Sequence, residues 1–548
     1  MAMREGRPEA WDEVADVVVV GSGGAALTAA TLAADGGARV VVVEKAEMIG
    51  GTTAVSGGVM WLPLNHHMAE AGLEDNRQDA IEYIRRLTMG HEHDPALIEV
   101  FVDTGHEMLA YLEAHTPVQM NSLTMFPDYY YPYDVPGKKA GGRSVEPVPY
   151  SFGTELPDWR DRLVSRGTLM SLGSYTTLAE DLFATADAEL EAELARREAA
   201  DVRAKGAAFV GMLFRGLLDR NVGIRLGTPA KELVMERGSI VGVRAEHDGG
   251  DVWLGARRGV ILACGGFEWN AEMVRGFIGY DLAPLSPPNN TGDGLVMAEE
   301  AGAQLFNMNS YWGTPAMFDP GITDGDALVP QFEGGRGMPG SIVVNRHAVR
   351  FANEAMPYND FPKAMGVFDP TRLEFPNESP CWQIFDHTAK ESVQILSMVP
   401  GRPAPDWVPQ ATSVAELATR IGLDPDTLCA TVDRYNKFAA VNEDPDFDRH
   451  RLALMGAAPL RPIEDGPFYA LAMHAGCLGT NGGPKVTADA QVISTAGQPI
   501  PGLYAAGNTA ANAFGWAYPS GGATIGHGAT FGYRAGRHAA AQPDRSLD

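Results

Sequence analysis

The polarity pattern is clearest near the start of the chain. Residues 15–20 are apolar apart from Asp16 and end in four valines, the pattern of a strand covered on both faces. An alanine-rich stretch, 21–34, reads as a helix, and 39–44 reads as a second apolar strand. Strand, glycine turn, helix, strand is the opening of a doubly wound sheet. Residues 95–115 and 178–219 carry helical apolar periodicity. Between them, 124–160 is rich in Pro, Tyr and Gly and reads as a long ordered loop, a feature that is uncommon and often functional. Residues 224–248 read as short strands turning at Arg237-Gly238, and 259–263 as another buried strand. From 313 to 474 the texture changes to more Pro, several Trp and fewer Gly clusters, before Gly-rich sequence returns at 476–536 and a helix closes the chain. The expected division is a discontinuous unit, 1–312 with 475–548, and an inserted α+β cap at 313–474.

Composition narrows the partners. At 548 residues the chain is too long for one core. The formal charge of −27 argues against nucleic acid, which needs stripes of Lys and Arg. The four cysteines are scattered with no CxxC pair, so zinc, iron–sulfur and dithiol sites lack their signatures and a reducing compartment is expected. The first residues are polar rather than leader-like, and no run of 18 apolar residues occurs, so the expectation is a cytoplasmic protein without a transmembrane segment. Peripheral membrane contact stays open.

The first chemical motif is Gly21-Ser22-Gly23-Gly24-Ala25-Ala26. Gly21 makes the tight turn, Gly23 admits a pyrophosphate to the backbone, and Ala26 lets helix and strand pack closely. The helix start supplies N–H donors and a positive dipole end. Glu44 ends the next strand, placed to accept ribose hydroxyls, with Lys45 beside it. A second glycine loop follows at once: Gly50, Gly51, Thr52, Thr53, Ser56, Gly57 and Gly58 can line a pyrophosphate and a flavin edge, which favours FAD over NAD. The fold class expected is α/β, a Rossmann-like FAD-binding domain carrying the inserted cap. No second dinucleotide fingerprint is present, so electrons must leave to an external acceptor, a quinone or similar.

This loop, the strand end Ala263-Cys264-Gly265-Gly266, the run Thr291-Gly292-Asp293-Gly294 and the late run Ala506-Gly507-Asn508 resemble the fumarate-reductase-like flavoproteins. Asn508 stands where that superfamily often has an acid. Within the superfamily, Tyr129-Tyr130 ahead of Gly142-Arg143-Ser144, the stretch Gly340–Asn345 with Arg350–Glu354 and Pro357-Tyr358, and the closing signature Tyr518-Pro519-Ser520-Gly521-Gly522-Ala523-Thr524-Ile525 resemble the 3-ketosteroid dehydrogenases. Ser520-Gly521 departs from the Gly-Pro of the Δ1 enzymes and is similar to the Δ4-(5α) enzymes. The resemblance implies 1,2-desaturation of a 3-ketosteroid in steroid degradation. Tyr518 hydroxyl and Gly522 N–H would clamp the ketone, Tyr358 would take the C2 proton, Tyr129 or Tyr130 would relay it, and flavin N5 would take hydride from C1. Alternatives are Δ4-desaturation, a fumarate-type reductase, and a flavin-binding protein without turnover. A dicarboxylate reductase should surround its substrate with Arg and His, whereas the closing signature offers Tyr518 and Gly522.

No metal is expected. His91 and His93, two apart, do not face one another. His66-His67 reads as a surface turn. His527 stays open between the flavin and packing, and Trp312, Met317 and Phe318 read as core.

Overall fold

The computed structural model describes residues 3–164, 174–184, 187–333, 335–454 and 459–547. Its centre is a sheet whose parallel strands are Gly223–Arg225, Val40–Val43, Glu13–Val20, Gly250–Leu262 and Pro499–Ala505. Val17 to Val20 pair with Val40 to Val43 residue by residue, and all eight are nearly inaccessible. Fully burying a valine is worth about 1.5–3 kcal/mol, which makes this seam the anchor of the sheet. The helix Gly24–Asp35 begins after the turn at 21–23, so the first glycines are turn and not helix. It lies against the last helix, Ala523–Ala540. The contact is backbone-close: a Cβ on Gly536 would sit 2.1 Å from Ala29 O.

A hairpin extends this sheet. Ala230–Glu236 and Ser239–His247 turn at Arg237-Gly238, both with positive φ, as the pattern predicts. The buried strand expected at 259–263 is the end of a longer one, Gly250–Leu262. The stretch 178–219 differs more. It is three helices, Leu178–Phe183, Ala188–Ala200 and Lys205–Asp219, broken by left-handed Asp201 and the short strand Val202–Arg203; residues 185 and 186 lie outside the described residues. The segment 124–160 is a loop only to residue 143, where Ser144–Pro147 joins Met60–Trp61 and Met120–Ser122 in a small sheet.

The second large sheet is mostly antiparallel, in the order Ala327–Phe332, Tyr311–Asp324, Phe468–Thr480, Cys381–Phe385, Ser341–Val344. Ala283–Pro284 also pairs with Phe468–Thr480. Residues 313 and 474, the expected limits of the cap, thus fall inside strands. Among the described residues no helix is long and apolar enough to cross a membrane.

Candidate active site

One deep cavity opens at the carboxyl ends of the parallel strands, where ligands bind in doubly wound sheets. Its first wall is made of glycine turns. Gly21 has φ +107°, and a Cβ there would lie 2.4 Å from Ala263 O, so only glycine fits between the two strands. Around Gly23 there is room: a Cβ would find nothing closer than Thr53 Oγ1 at 3.7 Å. The start of a 12-residue helix therefore borders open space, with Gly24 N–H held by Thr53 Oγ1 at 3.0 Å, and its dipole end suits a pyrophosphate. Glu44 receives Ser22 Oγ at 2.6 Å and Ala46 N at 2.9 Å, one on each oxygen, leaving a lone pair on each for ribose hydroxyls. Burial raises the Glu44 pKa, and the Ala46 and Ser22 hydrogen bonds draw it back. Lys45 donates to Thr291 Oγ1 at 2.7 Å and Asp293 Oδ2 at 2.9 Å, tying the two loops together.

Of the expected cofactor residues, Ala26 and Ala523 do not face the cavity; both are wholly buried in helix packing. The others line it: Gly21, Gly23, Gly24 and Ala25, Glu44 and Lys45, the loop residues Gly51 to Thr53 and Ser56 to Gly58, then Ala263, Gly265, Asp293, Gly507, Asn508, Gly522, Thr524 and Ile525. Sequence reasoning missed Asn290, which donates to Thr52 Oγ1 and to buried Glu268, while Glu268 also accepts Ser286 Oγ and Thr480 N.

The opposite wall is aromatic. Tyr129, Tyr358 and Tyr518 pack with ring centroids 5.2–5.7 Å apart, and Tyr358 hydroxyl donates to Tyr518 hydroxyl at 3.1 Å. Tyr130 does not join them; its hydroxyl bonds Asp360 and it does not line the cavity. Two ties register the loop on the closing signature, Tyr129 N to Pro519 O (3.0 Å) and Ser520 Oγ to Pro127 O (3.1 Å), and Tyr83 hydroxyl bridges them, accepting Tyr130 N at 3.3 Å and donating to Pro519 O at 2.7 Å. A Cβ on Gly521 would lie 2.8 Å from Tyr129 hydroxyl, so the Ser520-Gly521 pair that departs from Gly-Pro is fitted to this loop. Gly522 has φ +95°, and its Cβ would meet Val59 O at 2.6 Å; the strand behind it, before any ketone, requires the glycine. Arg143 is not in the cavity. It is buried on Asp75 and Asp128, and Trp61 Nε1 donates to Asp128 at 2.8 Å.

Burial pushes all three phenols upward, and for Tyr358 the neighbouring Tyr129 and Tyr518 add to the rise. The Tyr129 rise is offset in part by the Tyr358 hydrogen bond and the Arg336 charge. At neutral pH the trio is therefore protonated at rest.

Arg336 itself lines the cavity and was missed by the sequence reading. Phe332, whose ring packs 5.2 Å from Tyr358, leads into it, and Arg336 donates to the carbonyl of Met356, two residues before Tyr358. Beside it Glu333 is buried, its pKa pushed up to about 7 by burial, with the Arg336 charge and nearby N–H groups offsetting part of the rise. Elsewhere the structure gives plainer answers. His527 is buried, accepts Ala513 N at 3.1 Å, and burial lowers its pKa to about 3. Trp312 is core, donating to Asn508 Oδ1 at 3.0 Å. His91 packs on Trp516 and His93 on Phe306. His66 and His67 open a short helix and both meet Glu113.

These two walls are those of a flavoprotein, and the chain belongs to the FAD binding domain family, whose model matches residues 16–525. It binds FAD and is an FAD-dependent oxidoreductase. It is 38% identical to 4-oxocyclohexanecarboxylate 2-dehydrogenase of Sinomonas cyclohexanicum, over 96% of the chain and 93% of that protein. It is 34% identical to 3-oxosteroid 1-dehydrogenase of Mycobacterium tuberculosis, over 96% and 98%. The 3-ketosteroid Δ1-dehydrogenase of Sterolibacterium denitrificans, solved with 1,4-androstadiene-3,17-dione, superimposes with a TM-score of 0.87 at 32% identity, covering 96% of this chain and all of that one.

Proposed function

We propose that the protein desaturates the carbon–carbon bond next to a ring ketone. FAD supplies the hydride acceptor. The observation that carries the reading is the packed trio of buried Tyr129, half-buried Tyr358 and buried Tyr518 lining the same cavity as the glycine cradle. Tyr518 hydroxyl, whose oxygen the Gly522 N–H supports, holds the ketone oxygen as charge develops on it. Tyr358 takes the α proton as its own hydroxyl proton passes to Tyr129, whose hydroxyl proton leaves in turn through the cavity to solvent; the Arg336 charge near Tyr129 favours that release. For a 3-ketosteroid the bond is the 1,2-bond, with the proton from C2 and hydride from C1. The Mycobacterium and Sterolibacterium proteins support a steroid, while the Sinomonas enzyme, by its name, acts on a single keto-acid ring. In this reading residues 313–474 cap the cofactor unit, and reduced protein passes its electrons to an external acceptor such as a quinone.

Anaerobic mixing with ring ketones tests the proposal. The flavin absorbance should bleach, and product NMR should place the new double bond beside the carbonyl. A flavin that stays oxidised with both 4-androstene-3,17-dione and 4-oxocyclohexanecarboxylate overturns it.

A further inference from the structure

Among the described residues Arg143, Arg336 and Arg449 are buried and the side chain of Arg350 is nearly so; three of these four are fully partnered. Arg143 holds Asp75 at 2.7 and 2.8 Å and Asp128 at 2.8 Å. Arg350 holds Glu354 at 2.7 Å through two nitrogens and Asp444 at 2.8–2.9 Å. Arg449 donates to the carbonyls of Ser341, Gly337 and Met338 and reaches Glu354 at 3.3 Å. Arg336 is the exception, and it alone of the four lines the cavity.

Arg336 is 6% exposed. Its Nη2 bonds the Met356 carbonyl, and its Nε has no hydrogen-bond partner among the described residues. Its nearest acid, Glu333, stands 3.9 Å from Nη1, too far for a hydrogen bond, and neither Glu333 oxygen has a partner of normal geometry among the described residues. A guanidinium offers five donors in a fork shaped for a carboxylate, and a buried charge left without such a partner is costly. The surrounding protein shows that it can supply one, since Glu354 and Asp444 do so for Arg350. At Arg336 the place is left to whatever enters the cavity beside Tyr129 and Tyr358.

We propose that Arg336 is a carboxylate-binding residue of the substrate site, and that the substrate is a ring ketone bearing a carboxylate. This rests on the desaturation reading given above. The carboxylate seated on Arg336 would fix the ring so that its ketone meets Tyr518 and its α carbon meets Tyr358. A neutral ring ketone would leave the fork unpaired, and so would lose both affinity and orientation.

The test uses the FAD-loaded full chain and isosteric probes. Under dye-coupled turnover, 4-oxocyclohexanecarboxylate should exceed 4-oxocyclohexanecarboxamide in kcat/KM by on the order of 10²-fold, the loss typical when one partner of a buried, hydrogen-bonded charge pair is removed. Arg336→Gln should erase that ratio: both substrates slow because the charge beside Tyr129 is gone, and the acid loses about 10²-fold more in kcat/KM than the amide. Arg336→Lys, which keeps the charge without the fork, should fall between. A binding arm avoids turnover: cyclohexanecarboxylate, which has no ketone to react, should perturb the flavin spectrum of wild type at concentrations where cyclohexanecarboxamide does not. Should the variants not fold, the wild-type acid-to-amide comparison decides alone. Equal kcat/KM for acid and amide, equal losses for both in Arg336→Gln, or a higher kcat/KM for 4-androstene-3,17-dione than for the acid each overturn the carboxylate site while leaving ring-ketone desaturation intact. If no ring ketone bleaches the flavin, the desaturation reading falls instead, and the spectral titration still decides whether Arg336 binds carboxylates.

Discussion

The two walls of the cavity are made in different ways. The cofactor wall is backbone: glycines brought close to strands, with a helix start bordering the space around Gly23. The substrate wall is side chain: three phenols and a guanidinium, drawn from segments near 129, 336, 358 and 518 that are far apart in the chain. The first wall fails when shape changes by one carbon. The second keeps its shape and fails when one oxygen or one charge is removed. Where a protein must hold a ligand it uses geometry that tolerates no bulk; where it must move a proton it uses buried groups whose packing survives loss of the proton-carrying atom.

Substitutions can break this contrast. The largest effect is expected at Gly21→Ala, whose methyl would sit 2.4 Å from the Ala263 carbonyl: the purified protein should carry no flavin, read from its visible absorbance relative to protein. A yellow variant with a full complement would show that the turn can yield. Next comes Tyr358→Phe. The ring still fills the wall, so flavin content and melting temperature should match wild type, while kcat falls by about 10²- to 10⁴-fold as for loss of a general base. Retention of more than half of kcat would move the base elsewhere. Tyr518→Phe removes one donor to the ketone and should cost about 10²-fold in kcat, with slower exchange of the α protons in deuterated solvent. Unchanged exchange would remove Tyr518 from the clamp.

Glu333 sharpens the contrast through pH. Its pKa rises from the ordinary 4.5 to about 7 because burial disfavours the carboxylate. A carboxyl raised by folding is at full stability below 4.5 and loses stability as pH climbs through 7. Glu333→Gln should therefore equal wild type near pH 4.5 and exceed it above pH 7 by about 3 kcal/mol in urea unfolding, since each tenfold change in proton affinity is worth about 1.4 kcal/mol. Parallel curves at both pH values would show that Arg336 keeps Glu333 ionised. The smallest effect belongs to Tyr130→Phe. It loses only the Asp360 bond outside the cavity, so turnover should stay near wild type. A fall like that of Tyr358→Phe would restore Tyr130 as a relay.

The legibility of the chain divides along the same line. The cofactor wall could be read because its signals are local: a valine run, a glycine turn, an alanine helix and the acid Glu44 at the next strand's end lie close together in the chain. The break at Asp201 could not, because a helical apolar period continues on both sides of it and only the left-handed backbone marks the turn. Tyr129 and Tyr130 look alike in sequence; the choice between them is made by Tyr83 and Pro519, whose contacts turn one ring inward and leave the other on Asp360. Arg336 belongs to no motif. Charged residues flanking glycines just ahead of Gly340 were the available signal, but whether a buried arginine is paired is a property of packing alone.

The close seam between the helices Gly24–Asp35 and Ala523–Ala540 bears on how the protein is made. The glycine turn that opens the cavity's first wall stands early in the sequence, yet the helix packed on its own helix, Ala523–Ala540, and the strand Pro499–Ala505 on the far side of Gly250–Leu262 stand late. Because Gly536 meets Ala29 backbone to backbone, no earlier part of the chain can stand in for the late helix without leaving a void. Closing the glycine turn is therefore a long-range event in folding, which local contacts near residue 24 cannot complete by themselves.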